Sequence, residues 1–328
     1  MLRALFAGAV IALTVVPAAA QISDDVVKLG VLTDMSSLYS DINGQGAVVA
    51  TQMAIDDFGG TVLGKKIEMI SADVQNKADV AVGVAGRWFD VEHVDVILGT
   101  GASSASLATS GVAAERKRIY LATDPASSDI TGKLCNAYTV HWVYDTAALA
   151  NGTGSAVVKS GGGTWYFLTA DYAFGYALER DVSAVVAANG GKVIGAVRHP
   201  LNTSDFSSFL LQAQGSKAEV IGLANAGGDT VNSIKQAAEF GIVKGGQKLA
   251  GLLVFVTDVH SIGLPLAQGL LLTEAFYWDQ NDGTRAFSKR FGAKMNGKCR
   301  PASKPATIRP PRITLRRSRP RAPTRPKR

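Results

Sequence analysis

The chain reads as an α/β protein of two doubly wound parallel-sheet lobes joined by a multi-strand hinge. Three observations predict this. Short strand runs alternate with helix-spaced segments from about residue 26 to residue 295. The alternation completes one set, pauses at an extended aromatic stretch, and then repeats. The body is also large enough, with 47% hydrophobic residues, to bury one large or two medium cores.

The first set opens at 26–34 (VVKLGVLTD), an apolar strand run that ends in a polar loop. Residues 46–58 carry Val48, Val49, Met53, Ile55 and Phe58 at helical spacing, and Gly59-Gly60 closes that helix. Then come a strand at 66–73 (KIEMISAD), a helix at 79–91 and a strand at 94–100 (VDVILGT). A helix at 103–117 and a strand at 119–123 complete the set. Parallel neighbours need a long crossover between them, so this βαβ order implies a sheet covered on both faces. After 138–145 (YTVHWVYD), the second set places strands at 164–171, 192–199, 219–225 and 249–256. Helices fall at 175–189, 205–214 and 229–240. A further extended run covers 270–278, and a last helix starts at 284. Residues 139–144 contain neither Gly nor Pro, so they read as one hinge strand and not as a flexible linker. The expected division is lobe 1 at 21–140, lobe 2 at 141–257, and a segment 258–300 that ends lobe 2 and returns toward lobe 1.

Both ends differ from the body. Residues 1–20 have Arg3 in the lead, an apolar run at 4–16, and Ala18-Ala19-Ala20 before Gln21, the pattern of a secretion signal cleaved after Ala20. That run is shorter than the roughly 20 residues of a membrane span, and the mature chain is expected to have no transmembrane segment. The net charge of +7 comes from residues 301–328, which hold ten Lys and Arg, no Asp or Glu, and seven of the 11 prolines. Removing those ten from the 34 basic residues leaves 24 against all 27 acidic ones, so the body carries a net −3. Such a tail cannot build a packed core. Its abrupt onset looks like translation in another reading frame, with a basic arm for nucleic acid or anionic lipid as the alternative. Cys135 and Cys299 are the only cysteines, so disulfides are not the framework; Cys135 reads as a small buried apolar residue, and a bridge between the two stays open.

Several long segments carry a resemblance. They are VKLGVLTDMSSLYSDINGQG near the start, YTVHWVYDT at the pause, and LTADYAFGYALERD, RHPLNTSDFSSFLLQAQ, EVIGLANAGGDTVNSIKQAAEFGI and TEAFYWD in the second half. From about 26 to 295 the chain resembles the solute-binding proteins of branched-chain amino-acid-type ABC importers, the leucine-binding-protein-like type I periplasmic binding fold. The resemblance implies a periplasmic, non-enzymatic receptor that holds a small carboxylate between two lobes and hands it to an ABC permease. It implies three crossovers, near 139–144, at 256–258 or just beyond, and at 276–279. No cofactor, metal or nucleic acid is implied. After Met295 the family has an Ala-, Tyr- and Leu-rich helix that covers the first lobe, where this chain turns Arg/Pro-rich.

Ligands of open α/β sheets sit beyond the carboxyl ends of strands, where helix N-termini point. Ser103 and Ser104 lie between a strand end and a helix start, where N–H groups and hydroxyls can bind a carboxylate. Taken without the resemblance, they are helix caps. The next strand end offers Ala126 and Ser127, although Asp124-Pro125 departs from the small residues expected of that loop. From the second lobe, Tyr172 and Phe174 form an aromatic wall, Asn225 starts the next loop and Asp258 lies in another; Tyr39 is a lid from the first long loop. Amino-acid binders of this family pair the ligand ammonium with an acid of the second lobe, for which Asp258 is the first candidate and Asp229 the second. If neither faces the cleft, an aromatic or branched acid without an amine fits better.

Enzyme motifs fail on inspection. The run GGTVLGKK imitates a phosphate loop, but Lys66 stands where Ser or Thr should bind magnesium and a strand follows where a helix should. A nucleophile elbow, G-x-S-x-G, is absent, and His93, His141, His199 and His260 lack metal-ligand spacing. An extracytoplasmic sensor and, behind it, an exported α/β hydrolase remain the alternatives.

Overall fold

The computed structural model describes residues 24–296. The expected signal and cleavage site, Cys299 and the basic tail lie outside the described residues.

The first lobe grows around β1 (Val26–Thr33). Next come α1 (Gly44–Phe58), the short β2 (Thr61–Val62), β3 (Lys65–Asp73), α2 (Ala78–Asp90) and β4 (Val96–Gly99). It is completed by α3 (Ser103–Glu115), β5 (Ile119–Ala122) and β6 (Thr139–His141). The sheet order is β2-β3-β1-β4-β5-β6, parallel except for the antiparallel β2–β3 hairpin. That hairpin is where the GGTVLGKK run falls, so it is a turn. Period-two patterning shows in β4: Val96 and Leu98 join Val27, Leu29, Ile55, Ile67 and Leu121 on one face, while Ile97 points to the other. On that other face α2 and α3 pack together, and Trp88 lies across Gly30, where an added Cβ would come within 2.5 Å of the indole.

The second lobe begins with one continuous helical stretch: α4 (Thr146–Leu149), a π-helical turn (Ala150–Gly154) and α5 (Ser155–Lys159). Its sheet comprises β7 (Thr164–Ala170), β8 (Lys192–His199), β9 (Val220–Ala224) and β10 (Lys248–Gly251), in the all-parallel order β10-β9-β7-β8. Between them lie α6 (Ala173–Ala188), α7 (Ser207–Gly215) and α8 (Gly228–Glu239). Leu178, Val182 and Val186 of α6 pack with Trp165 and Phe167 on one face. On the opposite face Phe206, Leu210 and Ile234 meet Leu168, Ile221 and Leu223. Then come α9 (Val256–Ile262), α10 (Leu264–Ala267) and, back on the first lobe, α11 (Asp282–Lys294). Phe291 of α11 is buried against Ala50 and Met53 of α1, and Arg290 pairs with Asp57.

Several expectations need correction. The 249–256 strand stops at Gly251 and Val256–Ile262 is helical, so the extended run is shorter than expected. The Asp258 carboxylate accepts the Phe255 N–H at 2.9 Å and so stabilises a helix start. The 270–278 run adds no strand to the sheet. It is held through side chains: Leu270 covers Gly251, Thr273 bonds Thr153 at 2.9 Å and Glu274 accepts the Val256 N–H at 2.8 Å. The helix at 146–159 escaped sequence reading because two glycines interrupt its pattern; Gly152 is needed where Thr273 crosses, since a Cβ there would meet its hydroxyl at 2.4 Å. Cys135 is exposed, not buried, because it follows a turn closed by its own N–H to the Gly132 carbonyl.

In both sheets the first strand has its second neighbour on one side and its third on the other. The order therefore reverses between β1 and β4 in one lobe and between β7 and β9 in the other. Such switch points open a crevice at the carboxyl ends of the strands, and here the two crevices face each other.

Candidate functional site

Between the lobes lies a cavity walled by Tyr39, Ile42 and Asn43 after β1, Gly101 and Ser103 after β4, and Asp124 and Ala126 after β5. The second lobe contributes Tyr172, Phe174, Ala226 and Leu253, and Tyr144 comes from the crossover. Its free volume is about 20 Å³, room for about one water, so the walls stand close together.

Local chemistry explains how each wall is held. Asp34, fully buried at the end of β1, accepts the N–H groups of Ser37 (2.9 Å) and Tyr39 (2.8 Å), the Ser37 hydroxyl (2.7 Å) and the Asn76 amide (2.7 Å). Bonds to a carboxylate are the strong kind, and together they fix the loop that carries Tyr39. Asn43 caps α1 by accepting the Gly44 N–H at 2.8 Å, and its amide lies against Gly101, where a Cβ would come within 2.2 Å.

The β4–α3 turn is left-handed at two positions, Gly99 (φ +102°) and Thr100 (φ +62°). A β-branched residue there costs on the order of 1–3 kcal/mol and persists only where its surroundings enforce it. The Tyr120 hydroxyl supplies that enforcement: it donates to the Gly99 carbonyl at 2.8 Å and also bonds Thr100 and Ser106. The strained turn brings Ser103, at the start of α3, to the cavity wall. The N-cap position is Ala102, with no side-chain cap, and Ser103 is the first helical residue. Its hydroxyl accepts the Ser127 N–H at 3.2 Å, tying the β4 and β5 loops together.

The lobes meet across the cavity. The hydroxyls of Tyr39 and Tyr172 bond each other at 2.6 Å. Burial, above all, pushes both phenols up, so both stay neutral. Gly227 (φ +58°) lets the β9–α8 loop approach Leu38, Tyr39 and Ile42; a Cβ there would lie 3.2–3.3 Å from all three. Away from the cavity, Arg180 pairs with Asp129 at 2.8 Å and Ser128 donates to Asp181 at 2.6 Å.

Of the sequence-derived candidates, Tyr39, Ser103, Ala126, Tyr172 and Phe174 are brought together on the cavity wall. Ser104 is half-buried one residue further along α3, and Ser127 is buried behind Ser103, its hydroxyl accepting the Asp129 N–H. Asn225 lies behind the wall in a buried chain: Thr230 donates to its carbonyl at 2.7 Å, and its amide faces His199 Nε2 at 3.2 Å. Burial holds His199 below the usual imidazole range; in the neutral tautomer that suits these contacts, Nδ1–H donates to the Pro200 carbonyl. Asp258 and Asp229 are off the wall. Asp229 is buried, accepts the N–H groups of Asn202 and Thr203, and is pushed up to about 6 by desolvation; Asp258 is raised to about 6 in the same way. Sequence reading passed over Ile42, Asn43, Tyr144 and Leu253, while Gly101 and Ala226 lie in two loops it had pointed to without choosing them. Asp124 was noted only as a departure from a small-residue loop.

Two α/β lobes with facing switch points and a shared cavity invite comparison with known proteins. The family model described as periplasmic binding protein matches residues 26–307. The chain belongs to the periplasmic binding protein family. It is thus a member of a binding-protein family and not of an enzyme family. Among solved structures it is similar to a periplasmic binding protein of Burkholderia mallei, with 54% identity, a TM-score of 0.87, and coverage of 89% of this chain and 77% of that one. It is also similar to a branched-chain amino acid ABC transporter periplasmic ligand-binding protein of Burkholderia xenovorans, with 40% identity, a TM-score of 0.74, and coverage of 86% and 75%. A curated relative, Leu/Ile/Val-binding protein homolog 6 of Brucella melitensis, is 26% identical over 254 residues, 76% of this chain. The chain spans 64% of the length of that relative. Among the described residues, no helix is long and apolar enough to cross a membrane, and no group of three or more His, Cys, Asp or Glu could hold a metal ion.

Proposed function

We propose that this chain is the periplasmic solute receptor of an ABC importer, capturing a small carboxylate between its lobes and presenting the closed form to a membrane permease. The observation that carries this reading is a cavity whose wall is drawn from both lobes, so that a bound molecule touches both only when they are closed. A ligand that binds the closed form better shifts the population toward it by its differential affinity and no more. The carboxylate is assigned to the amino end of α3, where free N–H groups, the Ser103 hydroxyl and the Ala126 backbone converge; partial positive charge at a helix start favours an anion. Ser127 supports this end by holding Ser103. Tyr39, Tyr172 and Phe174 enclose the apolar part of the ligand. Catalysis has no role in this mechanism.

The test is a thermal-shift and calorimetric screen of the chain from Gln21 onward against amino acids and small aromatic and branched acids. Small-angle scattering is recorded with and without each hit. A ligand at a hundredfold excess over its Kd raises stability by about 2.7 kcal/mol, which a melting curve resolves, and closure reduces the radius of gyration. A cooperative melt that no small carboxylate shifts would remove the assigned ligand class.

A further inference from the structure

We propose that the chain carries a second binding site, in the second lobe and away from the cleft, for an amphipathic carboxylate whose apolar chain enters a cavity and whose acid group meets Lys244 and Lys248. The inference goes beyond the solute-receptor reading and does not rest on it. The cavity has a volume of about 600 Å³ and shares no lining residue with the cleft. It lies at the amino end of β10 and the carboxyl end of α8, whereas Ala226 and Leu253 of the cleft wall flank the opposite ends of those elements. Its inner wall includes Val157 of α5 and Ile234 of α8, both buried, beside Leu249 and Leu270. Val243, Leu266 and Leu271 also line it and are 54%, 45% and 44% exposed, so its apolar surface is open to solvent.

Small-molecule sites are cavities of about 300–1,000 Å³, lined mainly by hydrophobic side chains with a few polar groups that fix orientation. Exposed apolar side chains gathered on one concave wall mark a binding surface, whereas scattered single ones need no explanation. The sign of the ligand follows from the charged residues. Among the described residues the wall holds Lys244 and Lys248 and no Asp or Glu, and neither lysine has a carboxylate partner. The Lys248 ammonium donates to the Ser160 carbonyl, just past α5, at 3.2 Å, which uses one of its three N–H donors. Both lysines are exposed, so a carboxylate at the mouth meets two hydrated cations while the lysine stems and the ligand chain cover apolar surface. The chain's own residues 301–328 carry ten Lys and Arg and no acid, and like charge sets them against this mouth.

The test is calorimetry on the chain from Gln21 onward with hexanoate, octanoate and decanoate below their micelle-forming concentrations, and with decyltrimethylammonium as the cationic control. Decanoate should bind once per chain, and each added pair of methylenes should tighten binding about 15-fold. Two variants locate the site. Ala238→Trp places an indole in the cavity from α8, and Lys244→Gln with Lys248→Gln removes both charges at exposed positions. The first should weaken decanoate by more than about tenfold, the loss of two or more buried methylenes. The second should weaken it about 2- to 30-fold, the range of two exposed charge pairs. Absence of decanoate binding overturns the site, and so does binding that ignores chain length. Undiminished binding in either folded variant places the acid elsewhere, in the cleft or on the basic tail, and overturns it as well. Decyltrimethylammonium binding as tightly as decanoate overturns the ligand class. A dimer seen by light scattering in the wild type and lost in Ala238→Trp would make a second copy of the chain the occupant and overturn the small-acid reading. Should Ala238→Trp not fold, the chain-length series and the lysine variant decide.

Discussion

Changing Tyr39 and Tyr172 to Phe, singly and together, tests whether closure of the lobes is coupled to ligand binding. The two hydroxyls are 2.6 Å apart inside the closed cleft. In an open form each is hydrated. Removing one leaves the other facing an aromatic ring with no partner, and a buried unsatisfied hydroxyl costs about 1–3 kcal/mol. The penalty falls on the closed form, so it enters the apparent affinity as a roughly 5- to 150-fold increase in Kd, at about 1.4 kcal/mol per tenfold. The double variant removes both hydroxyls and leaves no orphan, so it should bind more tightly than either single one. The assay is calorimetry on the four proteins with the best ligand of the screen, alongside melting curves without ligand, which should differ little. Four equal affinities, or losses that appear in the melting temperature and not in Kd, would refute the idea that this contact belongs to closure.

Three further outcomes are expected. Ser103→Ala should weaken carboxylate binding by about 1–3 kcal/mol, and unchanged affinity by calorimetry would take the hydroxyl out of the site. Phe291→Ala should cost about 3–5 kcal/mol, because its ring is buried between α11 and α1; a denaturant titration that hardly moves would mean that α11 is a loose cover on the first lobe. Burial raises the Glu274 carboxyl from 4.5 to about 7, so the folded protein holds a proton that the unfolded chain releases between those values. The stability that comes from keeping this group neutral is full below about pH 4.5 and is lost as pH rises through 7. Glu274→Gln cannot ionise and can still accept the Val256 N–H, so its stability relative to wild type should increase between about pH 5 and 8; parallel curves from chemical denaturation would contradict this.

The α/β alternation was legible because the central strands β1, β4, β7 and β9 are apolar on both faces and the helices on one, and such patterns survive in a single sequence. Positions at strand ends were legible for the same reason: Ser103, Ala126, Tyr172 and Phe174 follow strands that open on the cleft. Asn225 and Asp258 look equally competent as residue types, and what withdraws them is their partners, His199 with Thr230 and the Phe255 N–H. Those partners lie 26, 5 and 3 residues away along the chain, and whether such a pair meets depends on how the loops turn. Asp124 carried a signal, an acid in a loop of small residues, but the pattern of that loop does not say that the residue lines the cavity. Periodicity also misread 249–256, because the apolar run continues past the strand into the start of α9. Tyr144 could have been found from its place in the aromatic crossover, where a ring at the hinge is near both lobes by necessity.

The contact of Arg180 and Ser128 with Asp129 and Asp181 has a consequence for fidelity. Arg180 is 45% exposed, and pairs of this kind contribute about 0–1 kcal/mol and weaken with salt. The Arg180 fastening between the lobes is therefore a light one. A pair of jaws that gripped each other firmly would shut on nothing and report cargo that was never caught. Keeping the outer fastening weak leaves the decision to whatever lies between the jaws, and so makes the closed shape a trustworthy message.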